Sequence, residues 1–186
     1  STPSLAQCSS LPTGLSIRLT DSNYSEASTA WRSTSADTAL NLPSIALTRR
    51  DIATQALHSV FHHDPNAGFL AVLAMAQAKA VGVTRYDGLP DLRATPLGEL
   101  VDYTVTYTPE SSAAASNAVT TSTDRFSFLG PAKITTPPGT FDACKIGTRY
   151  QSGAQELYWL VPGKTWVRYE SLTAGGARSS REALSH

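Results

Sequence analysis

Alternating apolar and polar positions run through the C-terminal half of the chain and predict β-strands. The best of these strands has four apolar residues on one face: Val101, Tyr103, Val105 and Tyr107. The residues between them are Asp and Thr, which gives the period of two expected of a half-buried strand. Further strands are predicted near 123–129, 132–136, 141–150, 155–161, 165–171 and 178–184. Together they predict an antiparallel β-meander over about 99–184.

The N-terminal half has a different pattern. Residues 14–20 alternate and predict a first strand, whereas the Ser/Thr/Ala-rich segment 21–44 predicts a long loop. A second low-complexity segment, 109–122, predicts a mobile loop. Between these segments, 49–81 predicts a helical hairpin.

The hairpin prediction rests on helical periodicity. Thr48 with Asp51 resembles a capping box, and the apolar residues from Ile52 to Phe61 fall on one side of a helical wheel. Asp64-Pro65 would end this helix. Residues 67–81 then combine strong helix formers with almost no polar face. A helix that is apolar all round must be enclosed, so this segment is predicted to be the central packing element.

Length and composition limit the class of protein to which the chain can belong. The 186 residues predict a single domain, 1–186, of α+β class, in which a curved antiparallel sheet packs on the helical hairpin. Fifteen basic and fifteen acidic residues cancel without a run of like charge, which removes the electrostatic case for nucleic acid. The longest apolar run, 68–76, is far shorter than the roughly 20 residues that cross a bilayer. We therefore expect no membrane-spanning segment.

Two motifs near the C-terminus carry a family resemblance. They are Thr136-Pro-Pro-Gly-Thr-Phe-Asp-Ala-Cys-Lys-Ile146 and Tyr158-Trp-Leu-Val-Pro-Gly-Lys-Thr-Trp-Val-Arg-Tyr-Glu170. The pair resembles the C-terminal Pro-x-Gly-Thr-Phe and Tyr-Trp-x-x-Pro-Gly signature of bacterial exported and envelope proteins of unknown function. That group is similar in architecture to the lipoprotein-localisation carriers, whose sheet curves around a helical plug and holds acyl chains. The resemblance implies a half-barrel and a periplasmic or secreted location.

The two cysteines, Cys8 and Cys144, allow three interpretations. An even count in an exported chain favours one disulfide. The alternatives are two buried thiols, or a lipidated Cys8 in the box Leu5-Ala-Gln-Cys8, against which Gln7 argues. The opening Ser1-Thr-Pro resembles a mature terminus after removal of a targeting segment.

His58 and His62 are the strongest candidates for catalytic chemistry. On a helix their spacing of four would put two imidazoles side by side, as a metal pair requires, with Asp51 or Asp64 as a third ligand. The alternative is a solvated helix end, because these residues lie opposite the apolar arc and residue 59 is Ser instead of a protease glutamate. No phosphate-binding loop and no Gly-x-Ser-x-Gly occurs. We expect no cofactor and no enzymatic activity.

Three functions remain as expectations. The first is a non-enzymatic periplasmic or secreted protein that binds a hydrophobic, lipid-like ligand between sheet and helices. Its expected contact residues are Phe69, Leu70, Leu73, Tyr103, Tyr107, Trp159 and Trp166. The second is an envelope or surface module that binds a protein partner. The third is a metal-dependent hydrolase that uses His58 and His62.

Overall fold

The computed structural model describes residues 2–19, 26–34, 43–77, 82–110 and 118–185, and these residues are almost entirely β-structure. The helical elements within them are α1 (Leu5–Ser9) and a 3-10 helix (Gly68–Leu70). The strands are β1 (Ser16–Leu19), β2 (Glu26–Thr34), β3 (Pro43–Asp51), β4 (Leu57–His63), β5 (Val72–Gln77), β6 (Val83–Asp87), β7 (Leu100–Glu110), β8 (Thr120–Thr136), β9 (Gly139–Arg149), β10 (Gln155–Val161), β11 (Thr165–Leu172) and β12 (Arg178–Ser185).

The strands form one closed antiparallel barrel. Each strand pairs with its neighbours in sequence, and β1 closes the sheet by pairing with β12. The prediction of an α+β half-barrel packed on a helical hairpin is therefore wrong, because the sheet surrounds its own core and the described residues contain no helical hairpin. The predicted C-terminal strands are present, with 123–129 and 132–136 joined into β8 across an irregularity between Phe128 and Gly130.

The segment predicted as a helical hairpin contains the end of β3, then β4, the 3-10 helix and β5, while 78–81 lie outside the described residues. Asp51 caps a β-turn instead of a helix, since its carboxylate accepts hydrogen bonds from the backbone N and the Oγ1 of Thr54. Gln55 adopts a φ of 60° there, which turns the chain back. The apolar residues that suggested one helical face belong to a turn and a strand.

In the Ala-rich part of the segment, pairing with neighbouring strands outweighs helix propensity. β5 pairs with β4 through Val60–Ala76 and Phe61–Met75, and with β6 through Ala74–Arg85. Ala74 is fully buried. Helix propensities differ by less than about 1 kcal/mol per residue, so the hydrogen bonds of a closed sheet outweigh them.

The two low-complexity segments are only partly described. The chain predicted as a loop over 21–44 includes β2, which pairs with β1 and β3, while 20–25 and 35–42 lie outside the described residues. In the segment 109–122, β7 continues to Glu110 and β8 begins at Thr120, and 111–117 lie outside the described residues.

One end of the barrel is closed by α1. Ser4 caps this short helix through a capping box with Gln7. Leu5 and Cys8 join a buried cluster with Leu160, Trp166 and other barrel residues. Cys8 and Cys144 form the predicted disulfide, which ties α1 to β9. The described residues include no helix with the length and apolar character that a bilayer crossing requires.

Candidate functional site

The interior of the barrel contains a cavity of about 610 Å³, which we call the lumen cavity. Alternate residues of most strands point into it. Its apolar wall includes Phe61, Phe69, Leu70, Val72, Phe126 and Trp166. Its polar wall includes Tyr103, Asp124, Tyr150, Glu156, Tyr169 and Arg181. A cavity of this size and mixed lining is typical of small-molecule sites.

The polarity of the lumen changes along the barrel axis, as the strand register shows. The cross-strand pair Cys144–Leu160 is fully buried beside α1. One step away from α1 the pair is Ile146–Tyr158, and the next is Thr148–Glu156. β8 repeats the gradient, with Phe126 followed by Asp124. The lumen is therefore apolar at the end closed by α1 and polar at the opposite end.

Glu156 is the centre of the polar end. Its Oε2 accepts a hydrogen bond of 2.9 Å from the hydroxyl of Tyr158, and Tyr150 also hydrogen-bonds to it. Burial raises the pKa of Glu156 above its ordinary value, and these two hydrogen bonds partly offset that effect. A carboxyl group with two tyrosine donors inside a barrel is a strong hydrogen-bonding centre.

Asp124 lies on the same part of the wall and is 2 % exposed. Its Oδ1 accepts hydrogen bonds from Ser122 Oγ (2.5 Å) and from the backbone N of Gln151 (3.1 Å). The exposed Ser179, which pairs with Ser171, lies on the rim of the cavity. Among the described residues, the polar end is therefore the part of the lumen wall that reaches an exposed residue.

Tyrosine hydroxyls supply several of the donors at this end. Burial raises the pKa of Tyr86 and of Tyr169 to about 12, and it also raises the pKa of Tyr103, Tyr107 and Tyr150. All of these phenols stay protonated at physiological pH. They can therefore donate hydrogen bonds to a bound molecule.

A row of aromatic rings connects the two ends. His63 stacks on Phe69 with a centroid distance of 5.7 Å, and Phe69 meets Tyr158 edge-on at 5.2 Å. Tyr158 in turn contacts Tyr169 at 4.8 Å and Trp166 at 6.2 Å. Such rings give a stiff, amphipathic wall, because aromatic side chains have few rotatable bonds.

His63 is a polar residue at the apolar end, and it is 2 % exposed. Its Nδ1 lies 3.2 Å from the carbonyl oxygen of Gly68, which fixes the proton on Nδ1. Its Nε2 is buried and has no hydrogen-bond partner within the described part of the chain. Burial lowers the pKa of His63 from 6.5 to about 4, with the hydrogen bond to Gly68 acting in the opposite direction. The imidazole is thus neutral at physiological pH, and its Nε2 is an enclosed acceptor.

We expect His63 to make the protein less stable in acid. The folded-state pKa is depressed, so unfolded chains bind the proton more tightly, and stability falls as pH decreases from 6.5 towards 4. The loss should approach about 3 kcal/mol at about 1.4 kcal/mol per pH unit. Urea unfolding between pH 7 and pH 4 measures it. His63→Phe should flatten the profile, whereas His58→Phe, at an exposed position of the same strand, should not. Equal slopes in all three proteins would contradict the assignment.

Most of the expected ligand contacts lie in the lumen. Phe69, Leu70, Tyr103, Tyr107 and Trp166 line the cavity, while Leu73 and Trp159 are not among its lining residues. Trp159 contacts cations of the neighbouring strands instead, with Lys145 Nζ 4.9 Å and Arg168 Cζ 5.6 Å from its ring centroid. The side chain next to it, Tyr158, is the one that enters the lumen.

His58 and His62 are not placed as a metal pair. Both lie on β4, where four residues span about 13 Å instead of one helical turn. His58 Nδ1 lies 3.1 Å from Ser59 Oγ, and the buried His62 Nδ1 lies 3.2 Å from Ser44 Oγ. Among the described residues, no group of three His, Cys, Asp or Glu side chains could hold a metal ion.

Comparison with solved structures identifies the fold. A Bacteroides fragilis protein described as exported and as having a YmcC-like fold superposes with a TM-score of 0.51 at 11% sequence identity, over 94% of this chain and 95% of that one. The two chains share this fold. The hypothetical lipoprotein YmcC from Escherichia coli matches with a TM-score of 0.48 at 10% identity, over 100% of this chain and 90% of that one. No protein-family model and no curated protein matches the sequence.

Sequence reasoning missed two site residues, Asp124 and Glu156, and gave His63 no place in an interior site. The sequence did contain a signal for Glu156, because in a predicted strand it lies on the same face as Tyr158 and Leu160. An acidic residue on the face of a strand that enters the core is a mark of a polar interior site. His63 was hidden by the helical interpretation of its segment.

Proposed function

We propose that this chain is an exported, non-enzymatic protein of the bacterial envelope that binds an apolar or amphiphilic small molecule inside the barrel. The observation that carries the proposal is the lumen cavity, about 610 Å³ in volume, with its apolar end beside α1 and its polar end around Glu156. An amphiphile fits this gradient, because its apolar part can replace water against Ile146 and Trp166 while its polar part stays near Glu156.

Two further observations favour an exported protein. The Cys8–Cys144 disulfide is of the kind that forms and persists in oxidising compartments. The fold is shared with a Bacteroides fragilis protein that is itself described as exported. The resemblance of the C-terminal motifs to exported and envelope proteins points the same way and remains a prediction.

The test is uptake of an apolar fluorescent probe, N-phenyl-1-naphthylamine, followed by fluorescence titration. We expect wild-type protein to bind it with saturation. Ser171→Trp places a large side chain on the lumen wall and should weaken binding at least about tenfold, a loss of about 1.4 kcal/mol. Ser180→Trp is the matched control, because Ser180 is exposed on the next strand and does not line the cavity. Absence of saturable binding, or equal loss in both variants, would contradict the proposal.

Binding of a protein partner is the second candidate, and exposed leucines favour it. Leu97, Leu100 and Leu129 are 62%, 61% and 47% exposed. Leu97 pairs with Phe128 of β8, which brings it beside Leu129 on the outer surface. If the lumen takes up no apolar probe, this surface becomes the better-supported site of function.

A further inference from the structure

One part of the lumen wall is a loop instead of a strand. β6 pairs with the second half of β7, so 100–105 have no paired strand on that side within the described residues. The loop 88–99, which we call the wall loop, follows β6 and begins beside this part of β7. Leu89 and Leu92 of the wall loop line the lumen cavity, and Leu92 is 4% exposed. The wall loop therefore forms part of the lumen wall where the pairing of β6 with β7 has ended.

The wall loop is anchored at both ends. At its start, the backbone of Gly88 packs on the carbonyl oxygen of Thr104 in β7, where a Cβ would overlap that oxygen. Near its end, the backbone N of Gly98 donates a hydrogen bond of 2.9 Å to the carbonyl oxygen of Phe128 in β8. The two ends are thus fixed to the sheet, while 89–96 between them have no strand pairing.

The middle of the wall loop is held from inside and from outside. On the inside, Leu92 belongs to the buried cluster that also contains Phe126 of β8. On the solvent side, Arg93 Nη1 donates a hydrogen bond to the carbonyl oxygen of Asn66, in the connection between β4 and the 3-10 helix. Asp91 holds the guanidinium in this position, because its Oδ1 and Oδ2 accept hydrogen bonds from Nε (2.9 Å) and Nη2 (2.7 Å) of Arg93. Arg93 therefore ties the middle of the wall loop to a neighbouring segment of the wall.

We propose that the wall loop is the gate through which an apolar molecule enters and leaves the lumen. The contact between Arg93 and Asn66 keeps the gate closed, and opening moves Leu89 and Leu92 away from the lumen. The inference rests on the proposed function and adds the route to its binding site. The strands stay paired during opening, because 89–96 take no part in their pairing. Segments of this kind open locally more easily than paired strands do.

The polarity of the lumen favours this route over its two ends. α1 blocks the apolar end, where Leu5 belongs to the same buried cluster as Leu92. At the polar end, an apolar molecule would have to pass Glu156 and Asp124 before it reached the apolar wall. The wall loop instead presents leucine side chains to the lumen, so a molecule that enters beneath it meets apolar surface from the start. Loops that open and close in this way control entry to many enclosed sites.

The kinetics of probe uptake test the gate. A loop that must open for both entry and exit slows association and dissociation by the same factor, and it leaves the Kd nearly unchanged. Arg93→Ala removes the contact with Asn66. We expect it to increase both rate constants for N-phenyl-1-naphthylamine about three- to tenfold, as the loss of one hydrogen bond that holds the closed state allows. Stopped-flow fluorescence measures both rate constants.

Two further variants control the experiment. Arg125→Ala is the matched control, because Arg125 makes the same two-point contact with a carboxylate, that of Asp102, but between β8 and β7 instead of in the wall loop. Its rate constants should equal those of the wild type. Ser179→Trp tests the competing route, since Ser179 lies on the exposed rim of the polar end. Entry through the wall loop should leave the association rate constant of this variant unchanged.

Hydrogen exchange gives an independent measurement on the wild type. Backbone amides in 89–95 should exchange faster than those of β7 and β8, and Arg93→Ala should accelerate them without changing exchange in the strands. Unchanged rate constants in Arg93→Ala, or weaker binding without faster association, would overturn the gate while the proposed function stands. Slower association in Ser179→Trp would place entry at the polar end and overturn the gate as well. If the wild type does not bind the probe, the proposed function fails and the gate fails with it.

Discussion

Removal of the Cys8–Cys144 disulfide should lower the free energy of unfolding by about 5 kcal/mol, because the bond closes a loop with a sequence separation of 136. The chain-entropy model attributes this effect to the unfolded state, whose conformational freedom the cross-link restricts. For a chain of this size, such a loss corresponds to a decrease in Tm of about 10 to 20 °C. Thermal and denaturant unfolding of Cys8→Ala/Cys144→Ala against the wild type measure it.

We also expect the bond to hold α1 against the end of the lumen. α1 has only five residues, so without the disulfide it is held by the burial of Leu5 and by contacts with β9, β10 and the 3-10 helix. We expect protease to cleave near α1 faster in the reduced protein. Reducing agent should destabilise the wild type and leave Cys8→Ala/Cys144→Ala unaffected, which controls for effects of the reagent. A loss below about 1 kcal/mol would contradict the role assigned to the cross-link, since the loop-closure effect alone exceeds it.

How far the sequence predicts the fold depends on whether a strand has one apolar face or two. In β7, polar residues occupy the other face. Of the four residues predicted on its apolar face, Tyr103, Val105 and Tyr107 line the lumen, whereas Val101 does not. In β10, large residues occupy both faces. Leu157 and Trp159 lie on one face, and Tyr158 and Leu160 lie on the other. Hydrophobicity alone therefore does not show which face points into the barrel. The choice is made by the register with β9, which pairs Tyr158 with Ile146 and Leu160 with Cys144.

The helical interpretation failed for a related reason. Local pattern favours a helix wherever apolar residues are dense and alanine is frequent, and β5 has both features. Pairing with β4 and β6 makes this segment a strand, although only Ala74 in it is buried and its other apolar residues are half-buried, so the alternation that marks a strand is weak. That information is non-local and cannot be read from a window of sequence.

The sequence predicts the candidate site only in part. The aromatic wall follows from strand alternation, and Tyr103, Tyr107 and Trp166 were expected contacts that line the cavity. The unpartnered Nε2 of His63 could not be predicted, because the helical interpretation of its segment gave no sign of the hydrogen bond to Gly68 or of the contact with Phe69.

Gly68→Ala should therefore be among the most damaging single substitutions in the chain. Gly68 has a φ of +66°, and an alanine in this left-handed region costs about 1 to 2 kcal/mol. The added Cβ would also overlap the Ser9 carbonyl oxygen and lie 3.3 Å from the backbone N of Leu11. Overlap in a packed interior costs about another 1 to 3 kcal/mol. We expect a total loss of about 2 to 5 kcal/mol in denaturant unfolding.

Gly98→Ala separates the two contributions. Gly98 has a similar φ of +79°, but nothing lies within 4 Å of its Cβ position, so only the backbone cost applies. Equal losses in Gly68→Ala and Gly98→Ala would contradict the packing of the 3-10 helix against α1. The overlap also predicts coupling, because α1 can move away once the disulfide is gone. In a double-mutant cycle, Gly68→Ala should cost less in the Cys8→Ala/Cys144→Ala background than in the wild type. Additive losses would show that α1 is not held against Gly68 by the cross-link.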